Sequence, residues 1–299
     1  MIVYLAGGVT GNLINEWKNH INLYLASLGS ELGNGGRFKK HYDNDMKLFL
    51  AAPLINKDLT IKNPHYDNSI SLNDLYILES YHYIVKQDWM FSLFKEFKGF
   101  LLDSGAFTFM TSLKGKSINW EQYVINYGSF VKEHDIKLFF ELDIDPIVGL
   151  KEVERLRNLL EKTAERKCIP VWHKSRGLDY WIKMCNDYDY VAIGGIVTQE
   201  IKRKDYPVFS CLLKIAKENK CKVHGLGFTN INGMNKYPFY SVDSTSWLSG
   251  NKFGAVYLFN GKSMQKAIKP TGSRVKSNKT AIHNFSEWVK FSKYAEQNL

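Results

Sequence analysis

The feature that most constrains this chain is a repeated alternation of short apolar runs with amphipathic stretches. The runs are Ile2–Ala6, Leu48–Ala52, Phe100–Leu102, Lys137–Leu142, Ile169–Trp172, Tyr190–Ile193, Lys222–Gly225 and Tyr240–Val242. Between them lie Trp120–Glu133, Leu150–Lys167, Asp179–Tyr188 and Pro207–Asn219, whose apolar residues recur at helical spacing. Strands that alternate with helices predict parallel pairing, because parallel neighbours need a crossover connection. About eight such units close a (β/α)8 barrel of the TIM type, roughly 250 residues long. The 299 residues suit one such domain spanning 1–299, with loop insertions at Gly29–Asp45 and Leu54–Ser71. An open doubly wound sheet has the same periodicity, so the alternation alone leaves both architectures standing. Ala255–Phe259 is a further strand, and Asn284–Gln297 a closing helix.

Charge narrows the partners. Lys plus Arg number 40 against 30 Asp plus Glu, a formal charge of +10, which favours a polyanion such as nucleic acid. A lysine-rich solvated surface accounts for the same excess. Residues 262–281 read as a basic loop carrying Lys262, Lys266, Lys269, Arg274, Lys276 and Lys279 without an acid, either a solvated tail or a phosphate-binding strip. Cys168, Cys185, Cys211 and Cys221 are too far apart for a zinc ribbon or redox pair, and read as reduced thiols of a cytoplasmic compartment. The opening MIVYLAGG reads as a strand rather than a signal peptide, and no run reaches the ~18 apolar residues of a membrane helix.

Polar and glycine signals gather where strands end, the rim on which barrel sites are built. Asp103-Ser104-Gly105-Ala106-Phe107 follows one strand, and Asp143-Ile144-Asp145-Pro146 the next. His173, Gly194-Gly195, His224-Gly225-Leu226-Gly227 and Asp243-Ser244-Thr245 follow in turn. Any one Asp there is as often a helix N-cap, and any one Gly pair a tight turn. Three aspartates on one rim imply more, since like charges sharing a pocket push their pKa values apart and separate acid, base and nucleophile.

Four of these segments resemble, in order, motifs of the tRNA-guanine transglycosylase superfamily: LLDSGAF (Leu101–Phe107), VAIGGIV (Val191–Val197), VHGLGF (Val223–Phe228) and YSVDSTSW (Tyr240–Trp247). The resemblance covers Phe100–Trp247, about half the chain. It leans toward the shorter phage relatives that insert 7-deazaguanines into DNA, as does PVWH in place of a strand ending in Gln.

The resemblance implies Asp243 as the nucleophile on the anomeric carbon and Asp103 as the general acid/base. It implies Asp143 as the reader of the guanine edge, with Asp145 as the fallback. The Gly194 and Gly195 backbone would meet the base carbonyl. Phe107 would stack on the base, with His224 or Leu226 on the other face. Ser104, His173 and Gly225 complete the implied base-binding set. Implied partners are DNA or tRNA and a free 7-deazaguanine base such as 7-cyano-7-deazaguanine. No cofactor or membrane partner is implied, and a homodimer is compatible.

The chain departs from the tRNA enzymes in two ways. It lacks closely spaced Cys, so no zinc subdomain is expected. It also lacks the basic motif after the nucleophile, where Ser244-Thr245-Ser246-Trp247 stand, which favours DNA over tRNA. Trp247 reads equally as a base-stacking ring or as core. Two further classes stay open. One is a nucleoside deoxyribosyltransferase, suggested by MIVYLAGG alone; the other is a barrel that binds a base or nucleic acid without turnover. Three crowded carboxylates argue against the second.

Overall fold

Apolar alternation organises the observed sheet. The computed structural model describes residues 46–53, 70–111, 118–229, 231–249, 254–268 and 277–299. The expected strand Ile2–Ala6, the expected loop Gly29–Asp45 and nearly all of Leu54–Ser71 lie outside the described residues, as do Lys269, Arg274 and Lys276.

Eight strands form one curled parallel sheet: β1 (Lys47–Ala51), β2 (Tyr76–Ser80), β3 (Gly99–Asp103), β4 (Leu138–Phe139), β5 (Val171–Trp172), β6 (Tyr190–Ile193), β7 (Lys222–Gly225) and β8 (Ser241–Ser244). Their spatial order is β4-β3-β2-β1-β8-β7-β6-β5. Five longer helices accompany them: α1 (Trp120–Glu133), α2 (Leu150–Ala164), α3 (Gly177–Asp187), α4 (Val208–Glu218) and α5 (Ser277–Asn298). The start of α1 is sequence-encoded, since the Asn119 side chain accepts the Gln122 N–H at 3.0 Å.

Successive residues of each strand face opposite ways. Leu48, Leu50, Ile77, Phe100 and Leu102 join the large core beneath the helices. Phe49, Ala51, Tyr76, Leu78, Leu101, Phe140, Val171 and Ala192 form a second core enclosed by the curl of the sheet. Burial on both faces explains why the strands read as continuous apolar runs.

The two end strands meet at one point rather than along a ladder. Phe140 bridges to Ile169 in parallel, with Ile169 N donating to Phe139 O at 2.8 Å and Glu141 N to Ile169 O at 3.1 Å. Beyond this bridge a side chain takes over: Glu141 Oε1 accepts the Val171 N–H at 2.7 Å. Glu141 is fully buried and is held by Arg157 Nη1 at 3.2 Å and Arg176 Nη1 at 2.9 Å. The sheet is thus a curled eight-stranded TIM-like layer, where a fully laddered barrel was expected.

Two other expectations need correction, and one of the two open readings of Trp247 holds. The described sheet includes Tyr76–Ser80, which was not among the expected strands. The basic loop begins instead as a hairpin: β9 (Ala255–Phe259) pairs antiparallel with β10 (Met264–Ile268), and α5 has started by Ser277. Asn260 makes the turn, its Oδ1 accepting from Lys262 N at 3.1 Å and Ser263 N at 2.9 Å. Trp247 is core, fully buried against Phe285 with its indole N–H on Ala51 O at 3.0 Å.

Candidate active site

Each strand delivers a residue or two to the rim at its C-terminal end, where a cleft of about 450 Å³ opens. Asp103 enters from the end of β3, Asp143 from beyond β4 and His173 from beyond β5. Gly194 and Gly195 follow β6, Leu226 and Gly227 follow β7, and Asp243 lies within β8. The floor is apolar, formed by Ala51, Leu78, Phe140 and Val171, which continue the enclosed core.

Each aspartate has a different environment. Asp103 Oδ2 accepts the Gly105 N–H at 2.9 Å. Burial and then the charge of Asp143, with a smaller push from Asp243, raise its pKa to about 6 against the pull of that N–H. Asp143 Oδ2 lies 3.1 Å from His173 Nε2. On the other side of the ring, His173 Nδ1 lies 3.2 Å from Glu200 Oε2, while Glu200 Oε1 accepts the Ser175 N–H at 2.9 Å. Burial alone would lower the His173 pKa; its hydrogen bonds and attraction to Asp143 and Glu200 overcome that and raise it to about 10. The ring is therefore an imidazolium at neutral pH, clamped between two carboxylates. Asp243 Oδ1 accepts the Gly227 N–H at 2.6 Å and lies 3.2 Å from His224 Nε2.

Two glycines shape this surface. A Cβ on Gly194 would stand 2.7 Å from His173 Cε1 and 2.9 Å from Val171 Cγ1, so the imidazole packs where a side chain would go. Gly227 takes φ +67°, the left-handed turn that aims its N–H at Asp243.

Asp103, Asp143, Asp243, His173, Gly194, Gly195 and Leu226 thus come together around one cleft, and several other expected site residues do not. Asp145 is held by Arg176, with Nη2 to Oδ2 at 2.6 Å and Nε to Oδ1 at 2.9 Å, which takes it into the buried network around Glu141. Ser104 is fully buried, and its Oγ accepts from Ala106 N at 3.4 Å at the start of the short helix Ala106–Thr111. His224 faces the enclosed core beside Phe49 and Phe140, so Leu226 is the residue left to flank a bound ring. Gly225 packs under Phe228 and Phe239. His173 has both ring nitrogens engaged by carboxylates, so it orients Asp143 instead of offering a nitrogen to a ligand. The Phe107 side chain lies outside the described residues. Lys262 and Lys266 are exposed on the hairpin, away from the cleft lining.

Glu200 was not among the expected residues, and Gly227 was placed on the rim without a role. Glu200 is reached only through the turn at Gly195, φ +80°, where a Cβ would stand 2.8 Å from Glu200 Oε2. The signal for Gly227 was present in GLG, where the second glycine, not the first, supports the carboxylate.

No family model and no curated protein matches the sequence. Among solved structures, the carboxyl transferase domain from Rhizobium etli pyruvate carboxylase with pyruvate is similar at TM-score 0.43 and 14% identity, covering 86% of this chain and 49% of that one. The same domain without that addition gives TM-score 0.41 and 12% identity, covering 100% and 54%. The chain spans about half the length of these structures.

Proposed function

We propose that this chain exchanges guanine in nucleic acid, DNA in the first place, for a free 7-deazaguanine base through an aspartyl-glycosyl intermediate, at the rim of its curled TIM-like sheet. One observation carries the reading: Asp103, Asp143 and Asp243, the three aspartates to which the resemblance gives roles, meet around one cleft beside Gly194 and Gly195.

Asp243 is the nucleophile. Its Oδ1 is anchored by Gly227 N–H and His224, leaving Oδ2 for the anomeric carbon. Attack breaks the glycosidic bond and leaves a glycosyl ester, which the incoming base displaces with restored configuration. Asp103, with its pKa near 6, protonates the departing guanine and takes a proton from the incoming base. Asp143, steadied through Oδ2, offers Oδ1 to the N–H groups of the guanine edge. Leu226 and the glycine backbone accept a flat ring, and a cleft of about 450 Å³ has room for a base and its sugar.

Guanine in a duplex must be flipped out before it reaches such a cleft. Phosphate contacts offset that expense, and exposed Lys262 and Lys266 are candidates for them. The four buried thiols fit a cytoplasmic setting. Among the described residues no helix is long and apolar enough to cross a membrane.

The test is base exchange with guanine-containing DNA or tRNA and 7-cyano-7-deazaguanine, with denaturing gels to detect a covalent adduct. The proposal expects exchange and adduct in DNA from wild type and neither from Asp243→Ala. Exchange confined to tRNA moves the substrate. Absence of exchange on both polymers from a folded, base-binding protein rejects the reading.

A further inference from the structure

Behind Asp243, inside the curl of the sheet, a line of polar groups crosses an otherwise apolar core. Asp243 Oδ1 lies 3.2 Å from His224 Nε2, and His224 Nδ1 lies 2.5 Å from Ser241 Oγ. Ser241 Oγ is in turn hydrogen-bonded to the Tyr190 hydroxyl. His224 and Ser241 are fully buried, and the imidazole has the Phe49 and Phe140 rings beside it, their centroids 6.1 and 5.2 Å away. The parallel pairing of β6, β7 and β8 sets this order. Tyr190 and Ser241 lie at the starts of β6 and β8, His224 is partnered with Ser241 in the ladder, and Asp243 faces the same way two residues beyond Ser241.

Such a row of groups is costly in an apolar interior unless every member is satisfied. One direction of donation satisfies it with a neutral ring. The tyrosine O–H donates to Ser241 Oγ, the serine O–H donates to His224 Nδ1, and His224 Nε2–H donates to the Asp243 carboxylate. The row contains a Ser, a His and an Asp, but it is not a serine nucleophile's triad. Ser241 is sealed in the core, and the carboxylate, not the serine, faces the cleft.

We propose that Tyr190, Ser241 and His224 are positioning residues, a one-way hydrogen-bond relay that locks His224 in its Nε2–H form and holds Asp243 with Oδ2 turned to the substrate. The role rests on Asp243 being the nucleophile. Without the serine donor the imidazole is free to move its proton to Nδ1. A lone pair would then face the carboxylate, and Gly227 N–H would hold Oδ1 alone. The loss falls on the attack step and not on base recognition, which belongs to Asp143 on the other side of the cleft.

The experiment uses the full chain and compares wild type, Ser241→Ala, Tyr190→Phe and Asp243→Ala. It reads kcat, the KM for 7-cyano-7-deazaguanine, and imidazole 15N shifts of histidine-labelled protein, with His224→Gln assigning the resonance. Expected are a His224 ring in the Nε2–H form in wild type and mixed protonation in Ser241→Ala. The relay also expects kcat about tenfold lower in Ser241→Ala, a smaller loss in Tyr190→Phe, and KM within about twofold of wild type in both. A wild-type His224 that is an imidazolium or the Nδ1–H form overturns the relay. So does a Ser241→Ala enzyme of undiminished kcat beside an inactive Asp243→Ala. Exchange that survives in Asp243→Ala rejects the nucleophile assignment instead, and the 15N shifts then decide the relay by themselves.

Discussion

Replacing Asp103 by Asn should make the protein more stable while abolishing exchange. Its carboxyl is raised from 3.8 to about 6, by burial first and then by the charge of Asp143. A carboxyl that binds its proton more tightly in the folded state destabilises the fold as pH rises from its unfolded value to its folded one. The penalty is absent below about pH 4, grows to about pH 6 and is complete above. At ~1.36 kcal/mol per pKa unit it reaches about 3 kcal/mol. Asn stays neutral, has nearly the same shape and still accepts the Gly105 N–H. With an unfolding entropy of ~2 cal/mol/K per residue, a 299-residue chain gains about 5 °C in Tm from 3 kcal/mol. Urea unfolding followed by tryptophan fluorescence at pH 8, 6 and 4 measures the margin between Asp103→Asn and wild type. A margin of about 2–3 kcal/mol at pH 8 that disappears by pH 4 is expected. A margin of zero at pH 8, or an equal margin at pH 4, refutes the argument that cleft burial and neighbouring charge raise the pKa of this acid.

Two further substitutions probe the clamp and the seam. Gly194→Ala brings a methyl within 2.7 Å of His173 Cε1 and so tilts the ring between Asp143 and Glu200; base affinity measured by calorimetry should fall at least about tenfold, while stability falls only about 1–3 kcal/mol. Glu141→Gln leaves the Arg157 and Arg176 guanidiniums buried without their shared anion; denaturation at pH 7 should register a loss of about 3–5 kcal/mol, and an unchanged midpoint would show that the β4–β5 seam does not depend on that charge.

The alternation of strands and helices was legible because a parallel sheet buried on both faces needs apolar strands, and Tyr190–Ile193, Lys222–Gly225 and Trp120–Glu133 stand as read. Tyr76–Ser80 was not, since YILES carries a buried Glu79 and a serine in five residues and shows neither clean period. The rim was legible as a set, because residues at strand ends share one side of the sheet. Which member faces the cleft was harder. In DIDP, Asp143 and Asp145 differ in which distant partner reaches them, His173 from 30 residues away or Arg176 from 31. His224 was misread because it was judged by its nearness to the rim; Val223, counted from the adjacent position, belongs to the core under the helices, and the alternation therefore turns His224 inward. Glu200 depends on a turn whose geometry a lone glycine pair does not specify.

The division of labour proposed for the three aspartates rests on these surroundings. Three identical side chains in one cleft can do different chemistry only if their environments differ. Asp143 has an imidazolium at 3.1 Å, which fits the hydrogen-bond acceptor for a base edge proposed above. Asp243 has a backbone N–H at 2.6 Å and His224 behind it, which fix one oxygen and fit the proposed attack by the other. Asp103 is held by the Gly105 N–H but is dominated by burial and by the charges of the other two, so it is the member whose pKa lies near 6. A proton shuttle needs that value, and a nucleophile or a recognition group does not. The clamp on Asp143 therefore serves Asp103 as well: Asp143 is the largest charge acting on the Asp103 carboxyl after burial, and a neutral residue at position 143 would lower the pKa of the acid along with the affinity for the base.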